Sequence, residues 1–154
     1  MDQDISVLRK QMIEAYRDQI VKLLQYIPWF ENKAGKYAMQ TYSGKEVTDQ
    51  SIPIPVYDST LLNFINDVEN SNLLDENYLY VYSRNRIKTP RDEIRVIERA
   101  TIREIPFILG ILSKYVIGGR TKARLWSEGV DYGIYLRILL KMKELLAIWD
   151  RPLA

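Results

Sequence analysis

TIREIPFILGILSKYVIGG, residues 101–119, is the segment from which the architecture of this chain follows. From Ile105 onward it is almost entirely apolar, which is typical of a helix that is buried on all sides. Thr101 and Glu104 have the spacing of a capping box, and the two closing glycines are expected at a helix C-terminus. Pro106 should kink this helix or delay its start. The segment therefore predicts a central helix.

Amphipathic helices are predicted at both ends of the chain. The first should run from about Asp4 to Tyr26, because Pro28 disfavours helical geometry at the residue before it. Its apolar positions recur at spacings of three and four and are Ile5, Leu8, Met12, Tyr16, Ile20, Leu23 and Ile27. The last helix should run from about Asp131 to Trp149. Its apolar face consists of Tyr135, Ile138, Leu139, Met142, Leu145, Leu146 and Trp149.

Further helices are predicted between these two. One begins at Asp58 or Ser59, and its expected buried face is Leu61, Leu62, Ile65 and Val68. Residues 75–88 fit a strand or a helix, and we favour a helix because the neighbouring segments are helical. Thr89 and Pro90 occupy the cap and the first position of another helix, where the missing amide hydrogen of proline costs nothing.

Residues 31–57 lose the helical period and contain two glycines and two prolines. Because proline lacks the amide donor that a central strand requires, Pro53 and Pro55 restrict their segment to an edge strand or a polyproline-like run. We therefore expect a mainly α, compact single-domain helical bundle over residues 1–154. It should have about five to seven helices and either a small β-hairpin or an extended segment around residues 37–57.

The chain contains neither cysteine nor histidine. This excludes disulfides and thiolate nucleophiles, and it removes the commonest metal ligand and the commonest general base at neutral pH. An acidic group formed by Asp67, Glu69, Asp75 and Glu76 lacks the spacing of a calcium-binding loop. The sequence therefore predicts a non-enzymatic protein with no catalytic residue, no cofactor and no metal site.

No apolar run approaches the roughly 18 residues of a membrane span. The N-terminus opens with two aspartates, where a secretory signal would carry cations. We therefore expect a cytoplasmic protein that does not engage a membrane.

Three parts of the chain carry a family resemblance. They are LLQYIPWFE (residues 23–31), IPIPVYD with LLNFI (residues 52–65), and RLWSEGVDYGIYLRILLKMKEL (residues 124–145). With them the chain resembles a family of small uncharacterised bacterial proteins catalogued as domain of unknown function 6508. The family's arginine-bearing turn, tryptophan, glycine and amphipathic helix correspond here to Arg120, Arg124, Trp126, Gly129 and residues 139–145. The resemblance implies a mostly helical domain without an assigned activity.

Charge is divided unevenly along the chain. Residues 1–77 carry 7 Lys and Arg against 12 Asp and Glu, a net charge of −5, whereas residues 78–154 carry 15 against 8, a net charge of +7. Such a division indicates nucleic-acid binding, or else the two halves face each other or each half solvates its own surface.

Arginines recur at every fourth position in the basic half, at Arg91, Arg95, Arg99 and Arg103. On one continuous helix they would form a ridge that can bind phosphates, extended by Arg84, Arg86, Lys88 and the cations after residue 119. Tyr80, Tyr82 and Trp126 are available to stack on unpaired bases.

The alternative is that this segment is an ordinary charged surface. Asp92, Glu93, Glu98 and Glu104 are interleaved with the arginines and would then form surface ion pairs. Asp92 and Glu93 also favour the positive end of a helix dipole. A helix break near Ala100 would rotate Arg103 off the ridge.

GGRTKARLWSEG, residues 118–129, connects the central helix to the last one and is long enough for a short helix at about residues 121–128. Since Tyr, Trp and Arg dominate interface energies, its predicted partner-binding residues are Arg120, Lys122, Arg124, Trp126 and Tyr132. For Trp126 the alternative is packing on the edge of the core. The first functional hypothesis is a protein–protein interaction or accessory module, of the kind that a mobile element or phage encodes as an inhibitor. Nucleic-acid binding by the basic half is the alternative, and the oligomeric state is left open.

Overall fold

The computed structural model describes residues 2–33, 39–41, 55–57, 59–122 and 124–149. The helices of this part are α1 (Asp2–Leu24), α2 (Ile27–Lys33), α3 (Ser59–Glu69), α4 (Leu79–Arg84), α5 (Pro90–Arg99), α6 (Ile105–Gly118), α7 (Arg124–Asp131) and α8 (Ile134–Trp149), with a short 3-10 helix at Ile102–Glu104. Strands β1 (Met39–Thr41) and β2 (Pro55–Tyr57) pair antiparallel, with Met39 opposite Tyr57. The mainly α architecture is confirmed. The described residues form eight α-helices, where five to seven were expected.

The additional helix comes from the N-terminal segment. α1 ends at Leu24, and α2 begins at Ile27, although Pro28 was expected to keep the preceding residue out of helical geometry. Pro28 lies in the first turn of α2. Amide hydrogens of a first turn have no acceptor within the helix, so the amide hydrogen that proline lacks is not missed there. α2 buries Ile27 and Phe30 in the core, and this burial of apolar surface favours the helix. The side chains of Ile5, Leu8, Met12 and Trp149 lie outside the described part, as does Pro53.

α6 is the central helix that the sequence predicts. Ile105, Ile108 and Ile111 are fully buried, and the helix packs against α3, α4, α5, α7 and α8. The amide and hydroxyl of Thr101 donate to the Glu104 carboxylate at 3.4 and 2.7 Å. The 3-10 helix occupies the residues before α6, so that proline in the first turn delays the start of α6 rather than kinking it.

Aromatic rings join four helices at the centre of the core. Phe30 of α2 and Phe64 of α3 meet edge to face, with ring centroids 4.9 Å apart. Tyr135 of α8 lies 5.0 Å from Phe64 and 5.9 Å from the ring of Tyr115 on α6. Such tilted and perpendicular arrangements are favourable for aromatic pairs. The rings therefore fix α2, α3, α6 and α8 relative to one another.

The buried face of α3 differs from the prediction at one position. Leu61, Ile65 and Val68 are buried as expected, but Leu62 is 41% exposed and Phe64 is buried. Positions 61, 64, 65 and 68 form one stripe at helical spacing, and position 62 lies to its side. The predicted buried face of α8 is confirmed for the described side chains, which are Tyr135, Ile138, Leu139, Met142, Leu145 and Leu146.

Candidate functional site

Three of the four ridge arginines lie together on α5. Arg91, Arg95 and Arg99 are exposed and line one surface depression of about 410 Å³, named here the α5 depression. Ala100 ends the helix with an extended ψ of 140°, and Arg103 follows in the 3-10 helix. The ridge is therefore three arginines long, because the break expected near Ala100 interrupts the four-residue repeat.

The interleaved acids neutralise the ridge only in part, because Asp92 and Glu98 form surface ion pairs as the alternative proposed but only Asp92 pairs with a ridge arginine. Glu98 pairs across to Arg137 of α8, with 2.6 Å between Oε1 and Nη1. The Asp92 carboxylate accepts the amides of Lys88 and Thr89 at 2.9 and 3.2 Å, which lowers the pKa of Asp92. Asp92 also lies 3.4 Å from Arg95. The ridge arginines Arg91 and Arg99 form no ion pair with any residue in the described ranges.

The alternative placed Glu93 in a surface ion pair, and for this residue the alternative is wrong. Its side chain is only 1% exposed. The hydroxyl groups of Tyr82 and Tyr115 donate to its two oxygens, each at 2.5 Å, and Lys114 Nζ lies 3.3 Å from Oε2. Burial, and then the charge of Glu93, raise the pKa of both tyrosines, so their hydroxyls remain donors. Glu93 precedes the fully buried Ile97 by one helical turn and so lies on the buried side of α5.

The Glu93 network joins three helices through one carboxylate. Tyr82 comes from α4, Glu93 from α5, and Lys114 and Tyr115 from α6. The ammonium of Lys114 also lies 4.1 Å from the centroid of the Tyr115 ring, within cation–π range. A buried carboxylate with a full set of donors holds its partners in place. The network therefore links α4, α5 and α6 through Glu93.

A second group of cations lies where α4 meets α5. Arg86 and Lys88 are exposed and, with Tyr82, Ser83 and Ile87, line a depression of about 490 Å³, named here the junction depression. The amide of Lys88 bonds to the carboxylate of Asp92, which lines the α5 depression, so the two depressions are neighbours. We call the exposed cations of this region the basic face: Arg84, Arg86, Lys88, Arg91, Arg95 and Arg99.

The predicted partner-binding residues belong in part to the framework of the fold. Arg120 lies 3.4 Å from Glu69 of α3, and Arg124 lies 3.7 Å from Glu128 one turn along α7. The indole of Trp126 donates to the carbonyl of Val116 at 2.9 Å and covers Gly119, where a Cβ atom would overlap the ring. Trp126 is half-buried against the core, as the packing alternative proposed. Lys122 and Tyr132 are exposed.

The carboxylates of the acidic group at residues 67–76 do not share one site but have separate partners. Asp67 accepts from the hydroxyl of Tyr26 at 2.5 Å, and burial together with this hydrogen bond raises the pKa of Tyr26 to about 12. Glu69 pairs with Arg120, and Asp75 accepts the amide of Asn77. Within the described residues, no group of three or more acidic, histidine or cysteine side chains could hold a metal ion.

Comparison with known proteins yields no assignment. No protein-family model matches the chain, and neither a curated protein nor a solved structure matches it. The resemblance to domain of unknown function 6508 stays a prediction. None of the helices that the structure describes combines the length and hydropathy needed to cross a bilayer.

Proposed function

We propose that this protein is a non-enzymatic nucleic-acid-binding protein and that the basic face is its binding surface. The observation that supports the proposal most is the position of the acids between the arginines. Glu93 is buried, Glu98 pairs with α8, and Asp92 caps the start of α5. Arg95 pairs with Asp92, but the other cations of the basic face form no ion pair with a residue in the described part of the chain and can interact with an external anion. A nucleic acid presents a continuous row of phosphates, which a row of cations can bind.

Alanine at Arg91, Arg95 and Arg99 together is expected to weaken binding to a DNA duplex by at least about tenfold at 0.1 M salt. Each lost phosphate contact also removes roughly 0.9 from the slope of log affinity against log salt concentration, so the slope should fall by up to about 2.7. Fluorescence anisotropy titrations at several salt concentrations measure both quantities. The matched control is alanine at the exposed cations Lys122, Arg124 and Lys143, which removes the same charge elsewhere. Equal losses for both triple variants would contradict the proposal.

A protein partner bound at the connection between α6 and α7 is the second candidate function. It is favoured by the exposure of Tyr132, which is 46% exposed, and of the Arg124 side chain, which is 78% exposed. Lys122 completes this exposed group, which would serve the accessory or inhibitor role that the sequence suggests.

The two candidates make different predictions for a capture experiment. Alanine at Lys122, Arg124 and Tyr132 should abolish capture of a nuclease-resistant protein partner and should leave DNA affinity within about twofold, because surface changes away from a contact have small effects. Nuclease-resistant capture that is unchanged by this triple variant would contradict a partner site at the α6–α7 connection.

A further inference from the structure

The junction depression differs in chemistry from the rest of the basic face. Its lining combines the ring of Tyr82, the aliphatic side chain of Ile87, the hydroxyl of Ser83 and the cations Arg86 and Lys88. The α5 depression offers arginines and acids but has no aromatic ring in its lining. Only the first of the two therefore presents surfaces for both a flat base and a phosphate.

Contacts with the core fix the position of the apolar side of the junction depression, which Tyr82 and Ile87 form. The side chain of Tyr82 cannot rotate without breaking the 2.5 Å hydrogen bond from its hydroxyl to Glu93. The ring of Tyr78 packs edge-on against the ring of Tyr82, with the two ring centroids 6.4 Å apart. Ile87 is buried, and its amide bonds to the carbonyl of Tyr82 at 2.9 Å. A wall that is fixed before binding loses little conformational freedom when a ligand arrives.

The cationic side of the depression is set by the backbone between α4 and α5. Arg86 adopts a φ of 55°, a left-handed conformation that is uncommon for residues other than glycine. This turn ends α4 and places Arg86 and Lys88 on the same depression. Neither cation forms an ion pair with a residue in the described part of the chain.

We propose that the junction depression holds one unpaired nucleotide of a single-stranded nucleic acid. Its base packs against Tyr82, and its phosphate lies on Arg86 and Lys88. The inference rests on the proposed function and names the class of nucleic acid. Bases in a duplex are stacked inside the helix and cannot enter such a depression, whereas every unpaired base presents a face for aromatic contact. Tyr80, 43% exposed on α4, is available for a neighbouring base.

Filling the depression tests this assignment. Ser83→Leu adds bulk without changing charge and without adding an aromatic face, and it should weaken binding of a labelled oligothymidine by about 5- to 150-fold, the range for one lost stacking contact. Binding of a duplex of equal length and of heparin should change less than twofold. Asn66→Leu, at an exposed position of α3, is the matched control, and thermal melting confirms that both variants fold.

Charge removal provides a second, independent measurement. Alanine at Arg86 and Lys88 should lower the preference for oligothymidine over duplex, whereas alanine at Arg91 and Arg99 should weaken both ligands by the same factor. Absence of binding to oligothymidine, duplex and heparin alike would overturn the proposed function itself. The inference alone would be overturned if oligothymidine and duplex bind equally well and Ser83→Leu changes neither affinity. Thymidine monophosphate binding as tightly as the oligonucleotide would assign the depression to free nucleotides and would also overturn it.

Discussion

Glu93→Ala is expected to lower the free energy of unfolding by about 3–5 kcal/mol, the usual cost of removing one partner from a buried ion pair. The substitution leaves the hydroxyls of Tyr82 and Tyr115 without their acceptor inside the protein. It also removes the carboxylate that lies 3.3 Å from the ammonium of Lys114. Burying unsatisfied polar groups is costly because water no longer solvates them. Urea denaturation followed by circular dichroism measures the change.

Glu98→Ala is the matched control on the same helix. Glu98 is exposed, and its pairing with Arg137 lies at the surface, so its loss should cost no more than about 1 kcal/mol. Glu93→Gln should fall between the two, because an amide keeps one acceptor oxygen but directs a donor at the remaining hydroxyl. If Glu93→Ala and Glu98→Ala have equally small effects, the carboxylate of Glu93 does not hold the three helices together.

The parts of the fold that depend on neighbours in sequence could be predicted. The cap formed by Thr89, the box formed by Thr101 and Glu104, and the end of α6 at its glycines all arise within one or two helical turns. Their hydrogen bonds are made by residues three or four positions apart. The row of arginines on α5 was predictable for the same reason, up to the break at Ala100.

The parts that depend on distant residues could not be predicted in the same way. An acid in the first turn of a helix suits the helix dipole whether it is exposed or buried. Glu93 is inside because Tyr82 and Tyr115, 11 and 22 positions away in the chain, supply donors there. The junction depression requires a left-handed backbone at Arg86, where the sequence offers no glycine to signal it. The placement of Trp126 likewise depends on the carbonyl of Val116, ten residues earlier.

Gly129→Ala is expected to destabilise the protein by about 2–3 kcal/mol, at the upper end for one additional methyl group in a packed core. A Cβ atom at Gly129 would overlap the ring of Tyr135. That ring is fully buried and is surrounded by Phe30, Phe64 and Tyr115, so it has no space into which to move. The higher helix propensity of alanine, about 1 kcal/mol, offsets only part of the strain. Thermal and urea unfolding measure the net change.

Gly118→Ala is the matched control, because it adds the same methyl group at the end of α6. There the nearest atom is Cδ1 of Leu125 at 2.8 Å, the end of a flexible side chain that can rotate away. We expect a change within about 0.5 kcal/mol for this variant. A similarly small effect at Gly129 would mean that α7 can shift away from α8. The ring cluster would then not fix α7, and the exposed group at Lys122, Arg124 and Tyr132 would lack the rigid support that a preorganised partner site needs.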